Sequence, residues 1–305
     1  MDIVIALVLG IVEGITEFLP VSSTGHLILA GHLLNFTGEK AATFEIVIQL
    51  GAILSVVVLY WRRFIGLIPV LTQPQPAFSG WRGLWLLFLT SLPAALLGLL
   101  IHDAIKTHLF GPMTVAWALG VGAVAMIWVE RRSTAPAVVE IDQITPRIAL
   151  GIGLFQCLSL WPGFSRSAAT IMGGMILGSS RKAAAEYSFI AAVPIMIAAT
   201  GYDLFSSWNL LCMADLPFFA AGFGVSFISA ILAVKIFINL VGRMSLKPFA
   251  YYRLIKTELN FGKLRIFSYF FDDISKIIVS ANVLYLSLFY PKLIFFGVNI
   301  REVVS

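Results

Sequence analysis

Five continuous apolar runs, at about residues 43–60, 83–101, 112–129, 186–205 and 217–241, limit what this chain can become. Each approaches the roughly 20 residues that a helix needs to cross the hydrocarbon core of a bilayer. A transmembrane β-barrel would alternate polar and apolar positions, and these runs do not. Only 12% of the 305 residues are charged and 59% are hydrophobic, whereas soluble domains carry about 25% charged residues. The expected fold is an all-α polytopic membrane protein. The net charge of +5 is read as basic loop marking rather than nucleic-acid affinity. The first segment lacks a basic start and a cleavage site, so it reads as mature structure. Cys157 and Cys212 lie in apolar runs and suggest neither a disulfide framework nor a zinc site.

Basic residues orient the runs. Arg62, Arg63 and Arg82 follow the first, and Arg131, Arg132 and Arg147 follow the third. Arg181 and Lys182 precede the fourth, and Arg243 and Lys247 follow the fifth. The positive-inside rule places these clusters in the cytoplasm and loop 102–111 outside. Residues 148–178 must then enter and leave on the cytoplasmic side, and residues 1–36 on the other. Each stretch is broken halfway by a proline, Pro20 or Pro162, into pieces too short to span. The pattern predicts two re-entrant helical hairpins. Pro20 and Pro162 are 142 positions apart, Glu45 and Glu186 are 141 apart, and "LPVSS" lines up with "WPGFSRS". A constant offset with opposite orientation predicts an inverted repeat, with the hairpin tips meeting inside the membrane.

The first tip concentrates polar chemistry in "EGITEFLPVSSTGH", Glu13 to His26. Glu13 and Glu17 share one helix face, and a charge at mid-bilayer costs about 2.5–3.5 kcal/mol or more. A divalent cation, Mg²⁺ or Ca²⁺, would suit the pair; hydrogen bonds to Thr16 or Thr24, or protonation, are the simpler alternative. Ser22, Ser23 and Thr24 are placed to cap a half-helix, whose N-terminus also attracts phosphate. His26 is a candidate base, acid or nucleophile. The second tip, "PGFSRSAAT", carries Arg166, whose planar fork suits phosphate, between Ser165 and Ser167. An internal ion pair with Glu13 or Glu17 is its alternative. Carboxylates, hydroxyls, imidazole, guanidinium and two helix N-termini together describe a phosphoryl-transfer site. Glu45, Gln49 and Glu186 are secondary candidates, while His32, His102 and His108 read as structural.

These motifs, "EGITEFLPVSSTGH", "FEIVIQLGAI" and "PGFSRSAAT", closely resemble the bacterial undecaprenyl-diphosphate phosphatase family, also called the bacitracin-resistance family, from about residue 3 to Arg253. The resemblance implies about six transmembrane helices with two re-entrant hairpins. It also implies a multi-pass enzyme of the bacterial inner membrane, with its site facing the periplasm. Its substrate would be a polyprenyl diphosphate lipid, hydrolysed to the monophosphate carrier used in peptidoglycan synthesis. By the resemblance the catalytic set falls on Glu13, Glu17, Ser23, His26 and Arg166. We place Ser22, Thr24, Gly163, Ser165 and Ser167 around the substrate, and a cation on Glu13 and Glu17. The preferred mechanism has Ser23 attacking phosphorus and His26 taking its proton; attack by His26 is the rival.

Two departures stand out. Ala168 occupies a position where the family motif has glycine. Residues 254–305 form an atypical tail after a family domain at 1–253, either a lineage-specific extension or an altered reading frame. Asp272 and Asp273 interrupt any span begun at Phe249, and 277–299 offers another span broken at Pro291. A polyprenyl-phosphate transporter is the rival function, because broken helices at the midplane also suit carriers. "GMILG", Gly174–Gly178, is a weak signal for a homodimer.

Overall fold

The computed structural model describes residues 2–68, 78–101, 105, 107–109, 111–132, 135–206 and 213–261. Contacts group Met1–Glu258 into one unit. Among the described residues the regular structure is helical: α1 (Ile3–Thr16), α2 (Ser23–Leu33), α3 (Glu39–Leu59), α4 (Trp61–Gly66), α5 (Gly80–Leu100), α6 (Pro112–Arg132), α7 (Pro146–Gln156), α8 (Arg166–Ile176), α9 (Arg181–Ser206), α10 (Leu216–Val241) and α11 (Lys247–Phe261). Five of them, α3, α5, α6, α9 and α10, are long and apolar enough to cross a membrane. They match the five apolar runs of the sequence, and the chain is a multi-pass membrane protein. The expectations at Asp272, Asp273 and 277–299, like most of the tail, lie outside the described residues.

Both proline-broken stretches form helix–break–helix pairs. Asp2 caps α1, its carboxylate accepting from Val4 N–H at 2.9 Å, and Thr145 caps α7 ahead of Pro146, where a missing N–H is harmless. A 3₁₀ turn at Cys157–Leu160 continues α7 toward Pro162. In the second pair, Phe155 lies against Gly173, Ile152 near Gly174 and Gly151 against Leu177. That descending order makes α7 and α8 an antiparallel hairpin. Gly174 also faces Ala184 within the chain, so the first glycine of "GMILG" serves an internal contact.

The halves repeat in order. The starts of α1 and α7, α2 and α8, and α3 and α9 are each separated by 142 or 143 positions. Each first arm packs on a long helix through a glycine. A Cβ on Gly10 of α1 would lie 2.6 Å from the Gly222 carbonyl oxygen of α10, and one on Gly153 of α7 would lie 2.6 Å from that of Thr90 on α5. Lipid is as apolar as leucine, so such close backbone packing, rather than exclusion of water, drives helix association here.

The largest core surrounds the two breaks, with Phe18, Phe164, Ala168, Phe189, Ala230 and Phe237 all buried. Phe18 meets Phe189 edge-on at 5.2 Å between ring centres. Ion pairs tie down the helix ends beside the basic loops. Glu130 accepts from Arg181 Nε at 2.8 Å and Nη2 at 2.6 Å, and from Leu246 N–H at 2.7 Å. Asp142 accepts from Arg63 at 2.7 Å and from Phe78 N–H at 2.8 Å. Burial works against the charge of Asp142, but these two bonds outweigh it and hold the carboxyl below the usual aspartate value.

Candidate functional site

The breaks put two serines in a backbone conformation that is rare without glycine. Ser22 has φ 71° and Ser165 has φ 77°, an arrangement that costs about 1–3 kcal/mol and persists only where surroundings enforce it. Each serine is an N-cap. Ser22 Oγ accepts from Gly25 N–H at 3.4 Å, and Ser165 Oγ accepts from Ala168 N–H at 3.3 Å. The first turns of α2 and α8 therefore begin at the breaks, with Ser23 and Arg166 as their first residues. Gly163 has φ 95°, and a Cβ there would lie 2.6 Å from the Val115 carbonyl oxygen. Glycine is thus demanded by the backbone, whatever else the residue touches.

The tips meet on Glu17. Ser23 Oγ donates to Glu17 Oε2 at 2.6 Å, and Arg166 Nη2 donates to Glu17 Oε1 at 2.9 Å. Ser167 Oγ adds a bond across the tips to the Leu19 carbonyl at 2.9 Å. Glu17 is 7% exposed and Ser23 9% exposed. Arg166 also faces the Phe18 ring at 5.5 Å and makes a long contact, 3.4 Å, to the Ser188 carbonyl. Its Nε is buried without an acceptor. The ion pair weighed from sequence is present, with Glu17 and not Glu13; Nη2 also contacts Met196 Sδ at 3.3 Å, which leaves Nε as the unpartnered nitrogen of the guanidinium.

These groups border a cavity of about 300 Å³. Glu17, Ser22, Ser23, Thr24, Gly163, Ser165 and Arg166 line it. So does Gln49, the secondary candidate, whereas Glu45 and Glu186 are not in its wall. Ala168 is fully buried in the core rather than in the wall, so its methyl group does not crowd the cavity.

Glu13 and His26 stand behind the wall. Glu13 is 1% exposed, and neither of its oxygens accepts a hydrogen bond. A cation would satisfy that orphaned carboxylate. Among the described residues no cluster of three His, Cys, Asp or Glu could hold a metal alone. Two carboxylates completed by substrate phosphate oxygens and water is, however, a usual Mg²⁺ arrangement.

His26 is held differently from the expectation. Its Nδ1 lies 2.7 Å from the Ser22 carbonyl and its Nε2 2.7 Å from the Tyr252 hydroxyl. A carbonyl only accepts, so Nδ1 carries a proton, and the neutral ring takes the Tyr252 O–H at Nε2. The rings stack with centres 5.7 Å apart and planes 10° apart. The acceptor bonded to Ser23 is Glu17, whereas both ring nitrogens of His26 are engaged elsewhere. Helix periodicity within "EGITEFLPVSSTGH" could not show this, because Tyr252 arrives from α11.

Arg253, beside Tyr252, is fully buried. It donates to five backbone carbonyls: Leu119 at 3.1 Å, Ala118 at 3.1 Å, Phe164 at 2.8 Å, Gly163 at 3.2 Å and Pro20 at 3.4 Å. One side chain thereby joins both breaks and α6. Sequence reasoning used Arg253 only as the end of a resemblance; an arginine next to an apolar helix was the available signal. Gln156 and Ser159, also missed, line the cavity and fall 143 positions after Glu13 and Thr16. Of the structural histidines, His32 bonds the Ile28 carbonyl at 2.9 Å and His108 is exposed; His102 lies outside the described residues, as does Cys212.

The family model for bacitracin resistance protein BacA matches residues 6–257. The chain belongs to this family. Its similar relatives include an undecaprenyl-diphosphatase of Maridesulfovibrio salexigens, 70% identical over 254 residues, which are 83% of this chain and 96% of the relative. One of Nitratidesulfovibrio vulgaris (strain DP4) is 67% identical over 253 residues, 83% of this chain and 95% of the relative. Undecaprenyl-diphosphatase 1 of Bacillus thuringiensis is 52% identical over 256 residues, 83% and 95% of the two chains. The family match contains both hairpins and, at its end, Tyr252 and Arg253.

Proposed function

We propose that this BacA-family chain hydrolyses undecaprenyl diphosphate to undecaprenyl phosphate and phosphate, recycling the carrier for envelope polymer synthesis and conferring bacitracin resistance. The observation that carries the reading is the convergence of Ser23 and Arg166 on one Glu17 carboxylate, 2.6 and 2.9 Å away. A hydroxyl bonded to a carboxylate is an activated nucleophile, and a partly unused guanidinium beside it is an anion clamp.

In this mechanism the diphosphate displaces Glu17 from Arg166 and lies over the first turns of α2 and α8. Ser23 Oγ attacks the terminal phosphorus while Glu17 Oε2 takes its proton. The Oγ–P bond forms as the bridging P–O bond breaks, releasing the lipid monophosphate. Glu17 passes that proton to the departing lipid phosphate oxygen, then deprotonates water, which attacks the phosphoserine; the proton returns to Ser23 Oγ as its bond to phosphorus breaks and phosphate is freed. His26 acts through Ser22, whose carbonyl it holds in the strained cap. Glu13 and Glu17 would hold a divalent cation, which would neutralise phosphate charge. On this reading the site faces the periplasm of the bacterial inner membrane, with the basic loops, read as cytoplasmic, supporting the orientation of the spans.

The test is phosphate release from C15 and C55 prenyl diphosphates by the purified chain, with Mg²⁺, Ca²⁺ or EDTA. Activity that vanishes in Arg166→Ala and Ser23→Ala, with label trapped on Ser23, is the expected result. Label on His26 rejects the serine mechanism. Movement of lipid across vesicles without hydrolysis would make the chain a carrier.

A further inference from the structure

Arg166 is held from α9 as well as by Glu17. Its Nη1 donates to the Ser188 carbonyl at 3.4 Å, and its Nη2 meets Met196 Sδ at 3.3 Å. The Phe18 ring centre, 5.5 Å from the guanidinium carbon, is backed edge-on by Phe189 at 5.2 Å. Ser188, Phe189 and Met196 all belong to α9. None of them carries a charge, so they orient the guanidinium without cancelling it.

Ser188 also reaches the main chain of Arg166. Thr170 Oγ1 donates to the Arg166 carbonyl at 2.8 Å. A hydroxyl has one hydrogen to give, so Ser188 is the donor in the 2.6 Å contact between its Oγ and Thr170 Oγ1. Thr170 and Ser188 are 0% and 1% exposed, so bulk water does not compete for this bond. The contacts form a closed loop. They run from the Arg166 carbonyl through Thr170 to the Ser188 hydroxyl, and from the Ser188 carbonyl back to the arginine's own side chain.

The repeat supplies an internal comparison. The N-caps Ser22 and Ser165 are 143 positions apart, which matches Arg166 with Ser23 and Thr170 with Leu27. Ser188 corresponds to Ile46 by the 142 positions between the starts of α3 and α9, or to Val47 by the 141 between Glu45 and Glu186. The hydroxyl pair of the arginine half is thus a pair of aliphatic residues in the serine half. Aliphatic residues suit the shared architecture, and the hydroxyls appear where there is an arginine to hold.

We propose that Ser188, together with Thr170 and Met196, is a positioning residue for Arg166, keeping its guanidinium in place while the diphosphate displaces Glu17. This rests on the lipid-diphosphate reading above and adds what holds the anion clamp during that exchange. An arginine released by its carboxylate spreads over several rotamers, and ordering it again costs binding energy. A guanidinium already oriented by neutral acceptors meets phosphate oxygens without that cost.

The test reads binding rather than turnover. The ligand is a C15 prenyl methylenediphosphonate, whose bridging carbon resists hydrolysis, titrated into the full-length protein in detergent. Ser188→Ala is made in the wild-type chain and in Arg166→Lys, whose single ammonium has no fork to orient. Ser188→Ala is expected to weaken binding about tenfold in the first background and by less than about twofold in the second. Ser188→Thr, which keeps the hydroxyl, restores binding to within about twofold. Thr170→Val removes the same bond from α8 and carries the comparison if Ser188→Ala does not fold. Met196→Leu, similar in volume, weakens binding about threefold, again only with Arg166 present. Equal losses in both backgrounds make Ser188 a general packing residue and overturn the proposal, as does no loss in either. If Arg166→Lys binds too weakly to titrate, Ser188→Thr decides, and its failure to restore binding overturns the proposal. An Arg166-dependent loss in a protein whose wild type releases no phosphate from prenyl diphosphates refutes the phosphatase reading while the positioning role stands.

Discussion

His26 Nε2 and the hydroxyl of Tyr252 are 2.7 Å apart across 226 positions of sequence. The bond makes the first hairpin depend on α11 for the orientation of its imidazole. Tyr252→Phe keeps the stacked ring and removes only the O–H. We expect kcat to fall by about tenfold while thermal stability falls by only about 0.5–1.5 kcal/mol. Steady-state kinetics and melting in detergent, run side by side, check the split.

Glu17→Gln removes the acceptor charge at both Ser23 and Arg166. A positioned base contributes about 10²–10⁴ in rate, so kcat should drop by that range, and trapped phosphoenzyme should vanish with it. His26→Gln should retain phosphoserine formation at a reduced rate. A His26→Gln protein without any trapped serine label, yet folded, would return the base role to the histidine.

Arg253 is a stability prediction. Lysine has one nitrogen and cannot reach carbonyls on Pro20, Gly163, Phe164, Ala118 and Leu119 together. Ala118 and Leu119 keep their partners within α6, and each buried acceptor left unpaired at the breaks costs about 1–3 kcal/mol, so Arg253→Lys should lose about 1–3 kcal/mol. Melting temperature in detergent reports this directly, and a variant as stable as wild type would show that α11 does not lock the breaks.

Asp142 yields a pH dependence. Its carboxyl is held below the ordinary aspartate value by Arg63 and the Phe78 N–H, against the effect of burial. The folded form therefore binds its proton less readily than the unfolded form. Its contribution is complete above the unfolded value, about pH 4, and disappears as pH falls through the lower folded value. The gap in melting temperature between wild type and Asp142→Asn should stay constant from neutral pH to about pH 4, then close. A gap that already narrows between pH 7 and 5 would contradict this.

Much of the architecture follows from sequence because membranes leave few choices. Runs near 20 apolar residues must be spanning helices, since lipid supplies no partner for exposed backbone groups. Helices do end ahead of Pro20 and Pro162, where a missing N–H disfavours continuation, while Pro93 of α5 and Pro194 of α9 stay inside continuous helices. The 142-position offset between Pro20 and Pro162 carries directly into the helix starts. The polar residues of both tips were visible because charge is expensive there, and Glu17, Ser23 and Arg166 do meet.

Which of those groups touch was settled only by tertiary packing. Glu13 and Glu17 look alike on one helix face, yet Glu17 reaches the cavity and Glu13 is buried behind it. His26 turns from Ser23 toward Tyr252, and Arg253 ties both breaks to α6. Hydrogen bonds between distant segments have no period along the chain, so neither spacing nor composition encodes them locally.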